Sequence, residues 1–289
     1  MNKILTNLLL LIVGFSLWGQ GPLEELIVKD ILFVSNGDTL KGTIVLPPGE
    51  GPFPAVVHIH GSGPEKRNLW FAKHYALRGI AFLTYDKRGV GESEGEYIGD
   101  DESEDNACEE NLILLAQDAY AAFKILKKWD KIDTNKIGLF GGSQVGWIAP
   151  ITASYDRSIK FMVLFSAPVV TTDQEIYFSK YAENNPDFFK EYSRSQIDDL
   201  MKHSPQTGFN AIPYLKMLDI PVLWVYGALD NSIPVSESIK NLKKIKKETD
   251  QDYKIKVFKK GDHRLTLPMQ KGAPADRVNK YMMDWIKKF

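Results

Sequence analysis

The chain has 289 residues, of which 44% are hydrophobic and 25% are charged, and its formal net charge is −1. One large α/β domain with a full hydrophobic core accommodates this length, and no second domain is required. The near-neutral charge lacks the basic footprint of nucleic-acid binding, so we expect no nucleic-acid partner. The single cysteine, Cys108, excludes an internal disulfide, and its acidic surroundings oppose thiolate formation, which makes it a poor nucleophile.

The first 20 residues have the arrangement of a secretory signal peptide. Lys3 precedes an apolar run over residues 8–15, and small or polar residues follow at 19–21. We expect cleavage near 19–21, export to the periplasm or the medium, and a mature domain over residues 21–289. The apolar run is short for a membrane span, so no stable span is expected after cleavage; an uncleaved anchor is the alternative.

The rest of the chain begins with a predicted β-hairpin and continues with alternating strands and helices. Two β-rich runs, 27–34 and 40–46, flank Asn36-Gly37-Asp38, which is typical of a tight hairpin turn. Strands are then predicted at 55–59, 80–85, 136–140, 161–165, 222–226 and 253–258, with helices at 69–78, 112–129, 146–153, 235–245 and 275–288. This alternation predicts right-handed crossovers and a mostly parallel sheet.

One segment, from about residue 169 to 214, interrupts the alternation. It is polar and aromatic and has no strand pattern, so we expect a helical cap insertion over the edge of the sheet. Its aromatic residues are Tyr177, Phe178, Tyr181, Phe188, Phe189, Tyr192 and Phe209. Packing within the cap and contact with substrate are both open for them.

The stretch Gly141-Gly142-Ser143-Gln144-Val145-Gly146 joins a buried strand to the start of a small-residue helix. Glycines around Ser143 allow a strained turn that presents its side chain at the apex. The pattern resembles the Gly-x-Ser-x-Gly nucleophile elbow of α/β-hydrolases, with Val145 in place of the last glycine. We expect Val145 either to distort the elbow or to face a small residue on the neighbouring strand. The alternative is that Ser143 only caps the following helix.

A serine nucleophile needs an imidazole to take its proton and a carboxylate to orient that imidazole. His263 is the best candidate base, because it follows the last predicted strand, at the end of the sheet where such folds build sites. Asp230 follows the preceding strand, and Ser-Asp-His is the chain order of α/β-hydrolases. Asp262 is a poor competitor because its neighbour would have to fold back on it, and Asp219 lies at the wrong end of its strand.

The oxyanion of acyl transfer needs two hydrogen-bond donors. The backbone N–H of Gln144, the residue after the predicted nucleophile, is one candidate. The second should come from the glycine-rich loop His60-Gly61-Ser62-Gly63-Pro64, which follows an early strand. We choose the N–H of Ser62, with Gly63 as the nearest alternative.

From about Leu26 to its end, the chain resembles α/β-hydrolases of the bacterial secreted or periplasmic carboxylesterase type. Four segments carry the resemblance: residues 60–64, residues 85–93, the serine turn, and residues 225–230 with 261–263. The resemblance implies a mostly parallel, twisted eight-stranded sheet with an N-terminal antiparallel hairpin, helices on both faces and a helical cap. In the second segment we expect Asp86 and Arg88 to brace the loop, and a substrate contact by Arg67 is open.

The resemblance also implies a serine esterase that acts on a small-molecule ester or other acyl substrate through Ser143, His263 and Asp230. No metal or organic cofactor is needed for this chemistry. Thioesterase, amidase and acyl-peptidase reactions remain alternatives, because the same three residues serve them all. A catalytically silent exported binding protein of this fold is the alternative from another class, and a signal-anchored structural protein is a third. The sequence leaves the natural substrate and the oligomeric state open.

Overall fold

The structure is a computed structural model that describes residues 25–99, 104–183, 185, 187–267 and 276–289. The predicted signal peptide, residues 1–20, lies outside the described residues. In the described ranges, no helix combines the length and the apolar character needed to cross a membrane.

Eight strands of the described residues form one sheet in the order β1-β2-β4-β3-β5-β6-β7-β8. They are β1 (Ile27–Ser35), β2 (Asp38–Leu46), β3 (Phe53–Ile59), β4 (Ala81–Tyr85), β5 (Ile132–Gly142), β6 (Phe161–Phe165), β7 (Val222–Gly227) and β8 (Tyr253–Phe258). β2 is antiparallel to both β1 and β4, and the other neighbouring strands are parallel. The prediction of a mostly parallel eight-stranded sheet with an N-terminal hairpin is confirmed.

The hairpin turn has the predicted conformation, whereas β5 begins earlier than predicted. Asn36 and Gly37 both have positive φ, 51° and 90°, as a two-residue hairpin turn of type I′ requires. β5 begins at Ile132, four residues before the strand predicted at 136–140, and so includes Asp133-Thr134-Asn135. There the register between β3 and β5 shifts, and Asp133 Oδ1 accepts a hydrogen bond from the N–H of Asn135 at 3.0 Å. The Asp-Thr-Asn sequence, which is typical of a turn, here forms an irregularity inside the strand.

Nine α-helices of the described residues surround the sheet. They are α1 (Leu69–Ala76), α2 (Glu109–Leu126), α3 (Val145–Ser154), α4 (Thr172–Ala182), α5 (Phe188–Glu191), α6 (Arg194–Lys202), α7 (Ile212–Met217), α8 (Val235–Thr249) and α9 (Arg277–Ile286). α2, α3, α7 and α8 pack into one hydrophobic core, and α1 and α9 pack into a second. Adjacent β5 residues enter different cores, Leu139 the first and Phe140 the second, because side chains alternate between the two faces of a strand.

Helices α4 to α6 lie between β6 and β7 and have a small hydrophobic cluster of their own; we call them the cap. The cluster contains Phe178, Ala182, Phe188, Ile197 and Met201. Capping boxes begin α4 and α6, formed by Thr171 with Gln174 and by Ser193 with Gln196. The next helix, α7, belongs to the body of the protein, since its Leu215 is buried in the first core.

Candidate active site

Ser143 lies at a tight turn between β5 and α3, in a left-handed backbone conformation with φ of 56°. This conformation is strained for a serine and needs support from its surroundings. The Ser143 N–H donates to the carbonyls of Phe165 and Ser166 at 3.2 and 3.1 Å, and the Ser143 carbonyl accepts from the N–H of Gly146 at 2.9 Å. The end of β6 and the start of α3 thus hold the turn that presents the serine side chain.

Val145 fits into this turn because Gly141 has no side chain. A Cβ on Gly141 would lie 2.8 and 3.0 Å from the two methyl carbons of Val145, and 2.5 Å from the Ile59 carbonyl oxygen. The small residue that we expected on the neighbouring strand is therefore at the end of β5 itself. Gly146 supplies the close contact of the helix, since a Cβ there would lie 2.4 Å from the Pro168 carbonyl oxygen.

Asp230 and His263, predicted as the acid and the base, lie together at the carboxyl ends of β7 and β8. His263 Nδ1 is 3.0 Å from each carboxylate oxygen of Asp230, whose side chain is fully buried. Asp230 Oδ1 also accepts from the N–H groups of Ser232 and Ile233 at 3.0 and 3.1 Å. An ionised carboxylate can only accept, so Nδ1 carries the proton, and Nε2 of the neutral ring is able to accept one.

Close backbone contact brings these two loops together. A Cβ on Gly227, at the end of β7, would lie 2.4 Å from the carbonyl oxygens of both Gly261 and Asp262. The Leu229 N–H donates to the Gly261 carbonyl at 2.8 Å. The Asp262 carboxylate turns away from the histidine and accepts from the N–H of Thr266 at 2.7 Å.

Carboxyl groups set the electrostatics around His263. Burial lowers the pKa of this histidine, but the hydrogen bond and charge of Asp230, together with Glu175 and Glu183 of the cap, raise it above its ordinary value of 6.5. Burial, reinforced by the charges of Glu183 and Asp230 and opposed by His263, raises the pKa of Glu175 to about 8. Glu175 is therefore mainly protonated at neutral pH, so at that pH protonated His263 is stabilised mainly by Asp230.

A cavity of about 1060 Å³ joins the predicted site residues. Ser143, Gln144, Ser62 and His263 all line it, and Asp230 lies behind the histidine. Within the described part of the chain, the hydrogen bonds of the His263 ring go to Asp230, so Ser143 and His263 share the cavity without a hydrogen bond between them. Such contacts are often long in an empty active site and shorten when substrate binds.

The two residues predicted to supply the oxyanion donors, Ser62 and Gln144, line this cavity. Among the described residues, neither the N–H of Ser62 nor that of Gln144 donates a hydrogen bond. Gly61 lies directly against the nucleophile turn, because a Cβ there would be 3.5 Å from the Ser143 Cβ. Two unused backbone donors beside a serine are the arrangement that stabilises an oxyanion.

The charged residues after β4 brace the loop, as expected for Asp86 and Arg88. Asp86 accepts from the N–H groups of Arg67 and Glu92 at 2.8 and 2.9 Å. Arg88 makes two hydrogen bonds to the buried Asp118, at 2.8 and 2.7 Å. The Arg67 guanidinium is paired with Asp86 and Glu92 and lies outside the set of described residues that line the cavity, so a substrate contact has no support.

Among the described residues, the cap lines the cavity with four polar side chains and one isoleucine, and with none of the aromatic residues considered from sequence. Phe178 and Phe188 are buried in the cap cluster, and Phe209 is buried in the first core. The lining residues of the cap are Glu175, Ile176, Ser179, Lys180 and Glu183. Sequence reasoning missed them, and the one available signal was their spacing, since residues 175, 179 and 183 recur every four positions on one helical face.

The strand order and the serine turn define the class of protein as the α/β-hydrolase fold. Residues 68–289 match the sequence model of the prolyl oligopeptidase family of peptidases, S9, and the chain belongs to this family.

Several known proteins are similar to this chain in sequence or in fold, at identities of 26% or less for those described next. Esterase EstD of Thermotoga maritima is 26% identical over 89% of this chain and 64% of its own. Among solved structures, the acetyl xylan esterase of Paenibacillus sp. R4 has a TM-score of 0.65 at 16% identity, covering 94% of this chain and 86% of that one. The acylaminoacyl peptidase of Pyrococcus horikoshii has a TM-score of 0.64 at 18% identity, over 92% of this chain and 42% of that one. The chain thus spans less than two thirds of EstD and of the peptidase.

Proposed function

We propose that the protein is a serine hydrolase that cleaves carboxylic esters of small molecules through an acyl-enzyme on Ser143. One observation carries the proposal: His263 is held by both oxygens of Asp230 at 3.0 Å and shares a cavity with a serine at the apex of a strained turn. The family membership supports a hydrolase, and the esterase names of EstD and the acetyl xylan esterase favour ester bonds.

In the first half of the reaction, the Ser143 hydroxyl attacks the ester carbonyl while Nε2 of His263 takes its proton. Asp230 holds the ring in the tautomer that leaves Nε2 free, and its negative charge stabilises the imidazolium that forms. The imidazolium then gives its proton to the departing alcohol, and the acyl group remains on Ser143. In the second half, water takes the place of the serine hydroxyl, and the carboxylic acid is released.

The N–H groups of Ser62 and Gln144 would hold the oxyanion of both tetrahedral intermediates. One such donor typically contributes about 3 kcal/mol to transition-state stabilisation. Because the donors belong to the backbone, they need little reorganisation as the charge develops.

Cleavage of an amide or peptide bond is the second candidate, since the family is named for peptidases and an acylaminoacyl peptidase shares the fold. The same three residues would serve it, with an amine as the leaving group. Matched ester and anilide substrates with the same acyl group distinguish the two reactions.

The test compares Ser143→Ala with Ser179→Ala, a second serine that lines the same cavity from the cap. With p-nitrophenyl acetate and a fluorophosphonate probe, we expect Ser143→Ala to lose turnover and labelling by at least about 10³-fold, because no nucleophile remains. Ser179→Ala should keep both. Turnover or labelling that survives in Ser143→Ala would overturn the proposal, and a wild-type protein inert toward esters, anilides and the probe would favour a binding protein.

We also propose export, on the basis of the basic, apolar and small-residue regions in residues 1–20. Expression of the full chain in a bacterial host and mass measurement of the purified protein test this. Removal of about 20 residues is the expected result, and an intact N-terminus on a cytosolic protein would contradict it.

A further inference from the structure

The Lys87 side chain binds the backbone of the glycine-rich loop, residues 60–64. Its ammonium group donates to the carbonyl oxygens of Gly61 and Ser62 at 2.8 Å each, and to that of Gly63 at 3.3 Å. The residue is 3% exposed, so these bonds are formed away from water. Charge-assisted hydrogen bonds are stronger than neutral ones, and three of them on consecutive carbonyls fix the orientation of the loop.

Two further donors hold the central carbonyl of this loop. The Ser62 oxygen accepts from the Tyr97 hydroxyl at 2.8 Å and from Asn106 Nδ2 at 3.0 Å. Asn106 Nδ2 also lies 3.2 Å from the Tyr97 hydroxyl oxygen, and the Lys87 ammonium lies 5.2 Å from the centre of the Tyr97 ring. The Ser62 carbonyl thus accepts hydrogen bonds from three side chains, Lys87, Tyr97 and Asn106.

Peptide geometry turns this restraint into a statement about the N–H groups. In a planar trans peptide the carbonyl and the following N–H point in opposite directions. The Gly61 carbonyl faces Lys87, so the Ser62 N–H points away from it. Residues 61–63 line the cavity and Lys87 is not among the described residues that do, so away from Lys87 means toward the cavity.

Asn106 links this loop to the nucleophile turn. The Gln144 side-chain amide donates to the Asn106 backbone oxygen at 2.9 Å and to its Oδ1. Asn106 in turn donates to Ser62, and its backbone oxygen also accepts from Asn111 of α2 at 2.8 Å. Asn106 and Gln144 are 2% and 3% exposed, so the link is buried. It joins the two residues whose N–H groups are the proposed oxyanion donors.

We propose that Lys87 and Asn106 are positioning residues for the oxyanion hole: Lys87 binds three consecutive loop carbonyls so that the Ser62 N–H faces the cavity, and Asn106 fixes Ser62 relative to Gln144. This inference rests on the proposed function. Its physical basis is that oxyanion donors act by being aimed before the charge develops. Without the ammonium, the Gly61 carbonyl loses this donor, while the Ser62 carbonyl keeps Tyr97 and Asn106, so the Gly61–Ser62 peptide can rotate and turn the Ser62 N–H out of the cavity.

The main test is Lys87→Met, which keeps the length of the side chain and removes its donors. We expect kcat toward p-nitrophenyl acetate to fall by about 10²-fold or more, with KM within about threefold of wild type, because the lost interaction acts mainly in the transition state. The affinity for a trifluoromethyl ketone, whose hydrated or serine-bound oxygen occupies the hole, should fall by a similar factor. A general loss of packing would not single out this inhibitor.

The matched control is Lys131→Met. Lys131 also donates to a backbone carbonyl, that of Gly49 at 2.9 Å, but lies outside the cavity-lining residues of the described chain. Its loss should leave kcat and inhibitor affinity within about twofold of wild type. Urea unfolding of each variant shows whether it is folded under assay conditions.

Two milder variants carry the test if Lys87→Met does not fold. Tyr97→Phe removes one donor to Ser62 and keeps the ring under the ammonium, so a roughly three- to tenfold loss of kcat is expected. Asn106→Ser removes the side-chain amide that bonds to Ser62 and to Gln144, leaves the backbone bond to Gln144, and should lower kcat and inhibitor affinity together.

Folded variants that keep kcat and inhibitor affinity within twofold of wild type would overturn the inference while the proposed function stands. A loss of stability with unchanged inhibitor affinity would also overturn it. Turnover that does not depend on Ser143 would instead refute the proposed function, and this inference with it.

Discussion

The loops at the carboxyl ends of the strands and the cap line the same cavity but are held in place by different means. In the loops, backbone approaches backbone at Gly141 and Gly227, and the ion pair of Arg88 and Asp118 is 4% and 0% exposed. In the cap, a cluster of five apolar residues holds three short helices together. The predicted nucleophile, base and donors are all in the first region, and the half-buried and exposed charged groups Glu175, Lys180 and Glu183 are in the second.

This difference indicates a division of tasks. Parts that must be placed to a fraction of an ångström belong to the region with buried charges and close backbone contacts, where small shifts are opposed by many neighbours. The cap residues that line the cavity belong to a segment with its own core, and we expect them to contact the variable parts of a substrate. We therefore expect substitutions in the loops to change stability or kcat, and substitutions in the cap to change KM and pH dependence.

The largest effect is expected from Asp118→Ala. It leaves the buried Arg88 without its two hydrogen bonds to a fully buried carboxylate, and removal of one partner from a buried ion pair typically costs about 3–5 kcal/mol of unfolding free energy. Urea denaturation followed by circular dichroism measures it. The control is Asp38→Ala, which removes a partner of Arg88 that is 35% exposed and should cost about 1 kcal/mol or less. Equal losses of unfolding free energy in the two variants would contradict the view that the buried pair of Arg88 and Asp118 holds the loop rigidly.

Gly227→Ala should act on catalysis. The new Cβ would overlap the Gly261 and Asp262 carbonyls, so the loop that carries His263 has to move. A misplacement of about 1 Å costs roughly 10²-fold in rate, which we expect to see in kcat/KM toward p-nitrophenyl acetate. Gly42→Ala in β2 is the control, because its Cβ would meet the Ile31 side chain at 3.1 Å and lies on a strand away from the cavity. A fully active Gly227→Ala enzyme would show that the loop tolerates displacement.

Phe188→Ala tests the independence of the cap. Phe188 is fully buried against Phe178, with ring centres 5.5 Å apart, so its loss should open the cap cluster and leave the sheet intact. We expect KM to rise several-fold while kcat for a short ester stays within about threefold. Steady-state kinetics over a series of acyl lengths, with hydrogen exchange of the cap and sheet, give the comparison. A large fall in kcat would mean that the cap helps to hold the catalytic groups.

The smallest effect is expected from Glu175→Gln. The base works in its neutral form, so the raised pKa of His263 places the acid limb of kcat/KM above pH 6.5, and activity is lost as pH falls through it. Removal of the Glu175 carboxyl should move this limb to lower pH. The shift is small because Glu175, with a pKa of about 8, is mostly protonated over that range.

Asp262→Asn is the control for this pH profile, since that carboxylate is bonded to the N–H of Thr266. Its limb should coincide with that of wild type. A limb in Glu175→Gln that moves to higher pH would have the wrong sign for a carboxyl that stabilises protonated His263.

The sequence was informative where position along a strand determines position in space. Asp230 and His263 follow successive strands, and parallel strands bring their carboxyl ends to one edge, so their meeting was predictable. Lys87 lies in residues 85–93, one of the four segments that carry the resemblance. Its contacts with the loop could not be predicted, because a single lysine that binds loop carbonyls produces no repeating sequence pattern. Asn106 was equally hidden, because its role comes from contacts with residues far apart in the chain. The position of Glu175 in the cavity could not be predicted, because the sequence does not show which face of α4 lies toward the cavity.

Val145 and Gly141 limit one another across the serine turn. Any side chain at 141 would be pressed between the methyl groups of Val145 and the Ile59 carbonyl oxygen, which lies 2.5 Å from the Cβ position, so glycine is required at 141. Restoring glycine at 145 would empty a fully buried space of valine size. The glycine at 141 thus makes room for a β-branched residue at 145, and a search for elbows of this kind should accept a side chain at 145 wherever 141 is glycine.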